Sequence, residues 1–141
     1  MAVKDHMTPA DEVSMVRRDT TLQDAARLMR RVDAGALPVN DGDKLIGMIT
    51  DRDIAVRGVA EGKTGEATVG DVMTDTVLYA YEDAESAEVI ANMEETGVRR
   101  MPVVDKAKRL KGVVTLADLS AGHAATAGEA LAHIREQPAQ H

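Results

Sequence analysis

The chain of 141 residues contains no cysteine, no phenylalanine and no tryptophan, and its only aromatics are Tyr79 and Tyr81. Without cysteine it forms no disulfide and offers no thiolate nucleophile, and most structural zinc arrangements lose their ligands. That composition fits a reducing compartment and makes the cytoplasm the expected location. Lacking large aromatics, the core must be assembled from Val, Leu, Ile, Met and Ala, and no base or sugar ring is stacked on Trp or Phe. Basic residues are in deficit, 17 Lys and Arg against 24 Asp and Glu for a formal charge of −7. A surface of that sign argues against non-specific nucleic-acid binding. No apolar run approaches the roughly 18 residues of a membrane span, and the opening MAVKDHMTPA has no apolar secretory segment, so no membrane partner is expected.

Catalytic and metal signatures are also missing. There is no G-x-x-x-x-G-K-[ST], no G-x-G-x-x-G and no outstanding nucleophile–base pair, so the sequence is not read as an enzyme. Of the four histidines, His6, His123, His133 and His141, the second and third stand ten apart rather than four, and no metal site is expected.

What the chain does have is an internal repeat. Met7-Thr8 recurs as Met73-Thr74, and Met29 followed by Pro38-Val39 recurs as Met93 followed by Pro102-Val103. Gly47, Thr50 and Asp53, spaced by three, recur as Gly112, Thr115 and Asp118, and the offset between copies stays between 64 and 66 residues. Each copy reads as β-α-β-β-α. Leu22, Ala25, Ala26 and Met29 give one apolar helix face entered through Asp19-Thr20-Thr21; Ser86, Val89, Ile90 and Met93 give its counterpart, entered through Asp83. Strands are expected over residues 13–16 and 77–80 before each helix. After it come residues 36–39 or 100–104, a turn such as residues 40–43, and residues 45–49 or 110–114. A second helix is expected from Asp51 and from Leu116. The fold class is therefore α+β, with repeat 1 over residues 1–57, a Gly-rich linker over 58–70, repeat 2 over 71–120 and a tail over 121–141 whose residues 127–135 suit a helix. Units of about 60 residues bury too little alone, and packing sheet against sheet with pseudo-two-fold symmetry resolves this.

The duplicated order Met-Thr, helix, Met, Pro-Val, then Gly-x-x-Thr-x-x-Asp resembles a tandem CBS-domain pair, or Bateman module, over residues 3–119. The runs Thr50-Asp51-Arg52-Asp53-Ile54 and Val98-Arg99-Arg100-Met101-Pro102-Val103 resemble stand-alone bacterial members. The resemblance implies a cleft between the halves that takes an adenine nucleotide (AMP, ADP or ATP) or an adenosyl compound as a regulatory ligand. It implies no obligatory cofactor, a homodimer, and a protein effector that the sequence does not name.

Each candidate site residue has a plain structural alternative. Thr50 and Asp53, and Thr115 and Asp118, have the spacing of a helix N-cap and its N3 residue, which alone accounts for them. By resemblance the threonines face phosphate and the aspartates bind ribose hydroxyls. Arg99 and Arg100 suit a solvated basic pair, or a guanidinium clamp on phosphate. In the first copy Gly35 and Ala36 stand in their place, so the two half-sites are unequal. Val13, Ser14, Val77 and Leu78 read as strand residues, and by resemblance they and Ala36 line an aliphatic base pocket. The resemblance groups Val13, Ser14, Arg99, Arg100, Thr115 and Asp118 into one site, and Val77, Leu78, Thr50 and Asp53 into the other. The competing reading is a scaffold of the same fold with an empty cleft.

Overall fold

The computed structural model describes residues 1–122. Its strands are β1 (Thr8–Pro9), β2 (Val16–Arg17), β3 (Ala36–Asp41), β4 (Lys44–Thr50), β5 (Ala80–Tyr81), β6 (Arg100–Val104) and β7 (Leu110–Thr115). The α-helices are α1 (Leu22–Val32), α2 (Asp51–Asp53), α3 (Val69–Val72), α4 (Ser86–Thr96) and α5 (Leu116–Gly122). The tail expectation over residues 127–135, with His123, His133 and His141, lies outside the described residues.

The chain forms two compact units that interleave the sequence repeats: Met1–Val13 joins the part from Leu78 onward, and Ser14–Val77 forms the other. In the first unit the sheet order is β1-β7-β6-β5, with β6 and β7 antiparallel and β5 parallel to β6. In the second it is β2-β3-β4, with β2 parallel to β3 and β3 antiparallel to β4. Thr74 supplies there what β1 supplies in the first unit, bridging Met48 with both backbone bonds at 2.9 Å. The Met-Thr that precedes each repeat thus completes the sheet of the other. Two glycines admit this crossing. A Cβ on Gly47 would sit 2.7 Å from the Thr74 carbonyl oxygen, and one on Gly112 would collide with that of Thr8.

Helix α1 buries Leu22, Ala25 and Met29 of the expected face but leaves Ala26 exposed, and the Thr21 hydroxyl caps it by accepting from the Asp24 N–H at 3.1 Å. Its counterpart α4 buries Ser86, Val89, Ile90 and Met93, but is entered at Glu85 rather than Asp83. Ser86, buried at the start, donates its hydroxyl to the Met1 carbonyl at 2.9 Å, and Glu85 makes no side-chain capping bond. The expected strands over residues 13–16 and 77–80 contract to two residues each and move toward the helices. The cause is that only Val16 and Ala80 turn into the cores, while Val13 closes a 3-10 turn over Ala10–Glu12. The second helix of repeat 1 is α for three residues and then widens to a π-turn over Ile54–Gly58.

Residues 58–70 run from that π-turn into α3 and are tied to the start of α1, with the Leu22 N–H donating to Ala67 at 2.8 Å and the Gln23 N–H to Gly65 at 3.0 Å. Each unit has its own aliphatic core. One holds Ile90, Met93, Met101, Val114, Leu116 and Leu119; the other holds Leu22, Met29, Leu37, Ile49, Val69 and Val72.

Candidate functional site

The Thr-x-x-Asp segments lie where β4 and β7 pass into α2 and α5. Both form reciprocal capping boxes with matching geometry. The Asp53 N–H donates to Thr50 Oγ1 and the Thr50 N–H to Asp53 Oδ2, each at 3.0 Å. Asp118 and Thr115 repeat these two bonds, again at 3.0 Å. In both boxes the carboxylate caps through Oδ2, and both aspartates are half-buried. The structural reason for this spacing is therefore satisfied in full within each unit.

Sheet register sets the candidate basic pair beside the second box. Arg100 lies opposite Thr115 across β6 and β7, and the Arg99 carbonyl accepts from the Leu116 N–H at 2.9 Å. In the other unit Ala36 lies opposite Thr50, and the Gly35 carbonyl accepts from the Asp51 N–H at the same 2.9 Å. The strand register and this backbone bond correspond in the two copies, so at these positions the copies differ in their side chains. The second copy presents Arg99 and Arg100, both exposed, with Asp118. The first presents Asp51, Arg52 and Asp53, and the Asp51 carboxylate reaches within 3.2 Å of where a Cβ on Gly35 would stand. Two guanidiniums and one carboxylate thus face two carboxylates and one guanidinium at corresponding places. Sequence inspection found the missing arginines but not the aspartate beside Gly35.

The remaining candidates fall in both units. Val13, half-buried, and Leu78, 49% exposed, belong with the Arg99–Asp118 copy; Ser14, Ala36 and Val77, all half-buried, belong with the other. None of these five joins an apolar core. Two open hollows lie away from all of these residues: an apolar groove of about 330 Å³ beside α1, and a charged one of about 530 Å³ at the β6–β7 hairpin. In the hairpin, Asp105 accepts from the backbone N–H groups of Ala107 and Arg109, both at 2.9 Å, and from Arg109 Nε at 2.7 Å. The Arg109 backbone bond, ahead of its nearby charge, holds this carboxyl below its ordinary range. No group of three or more His, Asp or Glu among the described residues is placed to hold a metal ion. No described helix is long and apolar enough to cross a membrane.

The repeat, its register and its paired Thr-x-x-Asp boxes define a class of protein built from two copies of one small α+β unit. The CBS domain family model matches residues 3–58 and 69–122, and the chain belongs to that family. It is 37% identical over 138 residues to the CBS domain-containing protein YhcV of Bacillus subtilis, spanning 96% of each chain. It is 44% identical over 110 residues to hypoxic response protein 1 of Mycobacterium tuberculosis, covering 77% of this chain and 76% of that one. Among solved structures, hypoxic response protein I with two coordinated zinc ions superposes with a TM-score of 0.74 at 40% identity, over 86% of this chain and 98% of that one. CBSX2 in complex with AMP gives 0.76 at 29% identity, over 88% and 96%. The CBS domain pair of protein MJ0100, in complex with 5′-methylthioadenosine and S-adenosyl-L-methionine, gives 0.68 at 30%, over 87% and 99%. The chain is also 40% identical over 109 residues to an inosine-5′-monophosphate dehydrogenase of Methanocaldococcus jannaschii, covering 77% of this chain and 21% of that one.

Proposed function

We propose that this protein is a cytoplasmic, non-catalytic sensor that binds an adenine nucleotide or adenosyl compound and signals through a homodimer surface to a protein effector. Support for the ligand class comes from the structural neighbours bound to AMP and to adenosyl compounds. The observation that carries the reading on this chain is the pairing of Arg99 and Arg100 with the Thr115–Asp118 box in one sheet register. In this reading the guanidiniums hold phosphate bidentately, Thr115 turns its hydroxyl to a phosphate oxygen, and Asp118 offers Oδ1 to the ribose hydroxyls. Asp53 offers the same ribose contact and Thr50 the same hydroxyl to phosphate in the first repeat, but without an arginine pair, so phosphate-bearing ligands favour the second. Val13 and Leu78 offer apolar contact to a base held by the second repeat, and Ala36 and Val77, with Ser14 beside them, to one held by the first. Ligand acts on the effector surface only through its differential affinity for two states of the protein.

The test is thermal unfolding with AMP, ADP, ATP, NAD, S-adenosylmethionine and cyclic dinucleotides. At a hundredfold excess over Kd a bound ligand stabilises by about 2.7 kcal/mol, a rise of roughly 5–10 °C for a chain of this size. A midpoint unmoved by every ligand rejects the sensor and leaves the scaffold.

A further inference from the structure

The hairpin turns of the two copies carry opposite charge. Residues 105–111 hold Lys106, Lys108, Arg109 and Lys111 against one carboxylate, Asp105, a net of +3 in a chain of net −7. Register aligns the turns, because Leu110 faces Val104 as Leu45 faces Asn40. The corresponding residues 41–46 hold Asp41, Asp43 and Lys44, a net of −1. The backbones of the turns differ too. Each contains one left-handed residue, which is Gly42 (φ 62°) in the first copy and Lys108 (φ 66°) in the second. A side chain in that conformation is strained where a glycine is not, so a lysine there points to a use for its ammonium. The turn is firmly tied: besides the three bonds to the Asp105 carboxylate, the Lys108 N–H donates to the Asp105 carbonyl at 2.9 Å. Lys108 Nζ stands 5.5 Å from the centre of the Tyr79 ring, which Tyr81 meets edge-on with centroids 5.6 Å apart. Both aromatics of the chain thus stand at this turn. Lys106, Lys108 and Lys111 are exposed and form no ion pair among the described residues. Lys4, Lys106, Arg109 and Lys111 line the hollow of about 530 Å³ at the hairpin, all within one compact unit.

We infer that this turn is the docking site for an acidic segment of a protein partner, whose carboxylates meet Lys106, Lys108 and Lys111. Complementary charge gives the partner its chemistry, and the hollow accommodates an extended segment. A continuous polyanion such as RNA suits it less, because Glu82 and Asp83 share the walls of the hollow and the chain as a whole is acidic. Strands β6 and β7 run from Arg100 and Thr115 at one end to this turn at the other, so the surface is separate from the candidate phosphate contacts. The inference gives the effector of the proposed function a place and a chemistry, and rests on that reading for its role alone.

The experiment is fluorescence anisotropy of the full chain, without nucleotide, against a dye-labelled acidic peptide of repeating Glu-Ser. The peptide binds the wild type and is released as salt rises from about 0.05 to about 0.5 M. K106E/K111E weakens it about tenfold or more. R30E/R31E, which reverses two exposed cations in the other unit, stays within about threefold of the wild type. Lys108→Gly keeps the melting temperature, since glycine is unstrained there, and weakens the peptide about threefold or more. No binding to the wild type, an equal loss in both double variants, or an RNA oligonucleotide that competes as well as unlabelled peptide overturns the inference. So does a Lys108→Gly protein that retains full affinity. Because nucleotide is absent, each of these failures leaves the sensor standing, and the nucleotide titrations test that separately.

Discussion

Removing the Asp118 carboxylate separates its two roles, because each has its own size. In the free protein Asp118 Oδ2 accepts one bond, from the Thr115 N–H at 3.0 Å, at a half-buried helix start. Losing such a cap costs about 1 kcal/mol, within a range of about 0.5–2, and 1 kcal/mol lowers the melting temperature of a chain this size by roughly 2–4 °C. If Asp118 also receives two ribose hydroxyls, each bond to a charged acceptor contributes about 1.5–3 kcal/mol. Losing both weakens the nucleotide by about a hundredfold or more. Asp118→Asn retains an oxygen for the Thr115 N–H but not the charge. It should keep most of the melting temperature and still lose about tenfold in affinity. The assay is calorimetric titration of AMP beside thermal unfolding of each free variant. A melting temperature that falls in Asp118→Ala while the AMP affinity stays put refutes the ribose role and leaves a helix cap.

Gly47→Ala sets a methyl 2.7 Å from the Thr74 carbonyl, which two backbone bonds hold in place. Overpacking of this kind costs about 1–3 kcal/mol, read as a lower denaturation midpoint at unchanged slope. Asn40, 4% exposed, leaves its side-chain oxygen buried without a partner and has Val104 as its counterpart at the same β-bulge. Asn40→Val should therefore stabilise by about 1 kcal/mol in urea unfolding, and a loss of stability contradicts this. Asp105 has a folded pKa below its ordinary 3.8, so its contribution is complete above that value and disappears as pH falls through the lower folded one. The stability difference between the wild type and Asp105→Asn should stay constant at neutral pH and shrink only on the acid side of the ordinary value.

The helices were legible because their signal is local. The 3.6-residue spacing of Leu22, Ala25 and Met29 and the hydroxyl of Thr21 are properties of one segment, and both appear in α1 as read. The short edge strands were not, since β2 and β5 exist by pairing with β3 and β6 and not by any preference of two residues. The exchange of Met-Thr segments was out of reach for the same reason. Its one trace in the sequence is the glycine three positions before each Thr-x-x-Asp, which spacing counted as a motif element and which the fold uses as clearance. The entry to α4 was misplaced at Asp83: Glu85 at its start makes no side-chain capping bond, and the Ser86 hydroxyl instead reaches the Met1 carbonyl, 85 positions away. At the candidate site, spacing sufficed for the capping boxes. The charge contrast between Arg99-Arg100 and Asp51 emerged only once register aligned the copies.

The central claim, that the second copy holds the phosphate of an adenine nucleotide, is tested most directly by titrating AMP into the wild type and into R99A/R100A. Both side chains are exposed, so the variant should keep its fold and melting temperature. The account predicts AMP binding that weakens with salt in the wild type and is at least about tenfold weaker in the variant. Equal AMP affinity in the two proteins, or no binding to either, contradicts it.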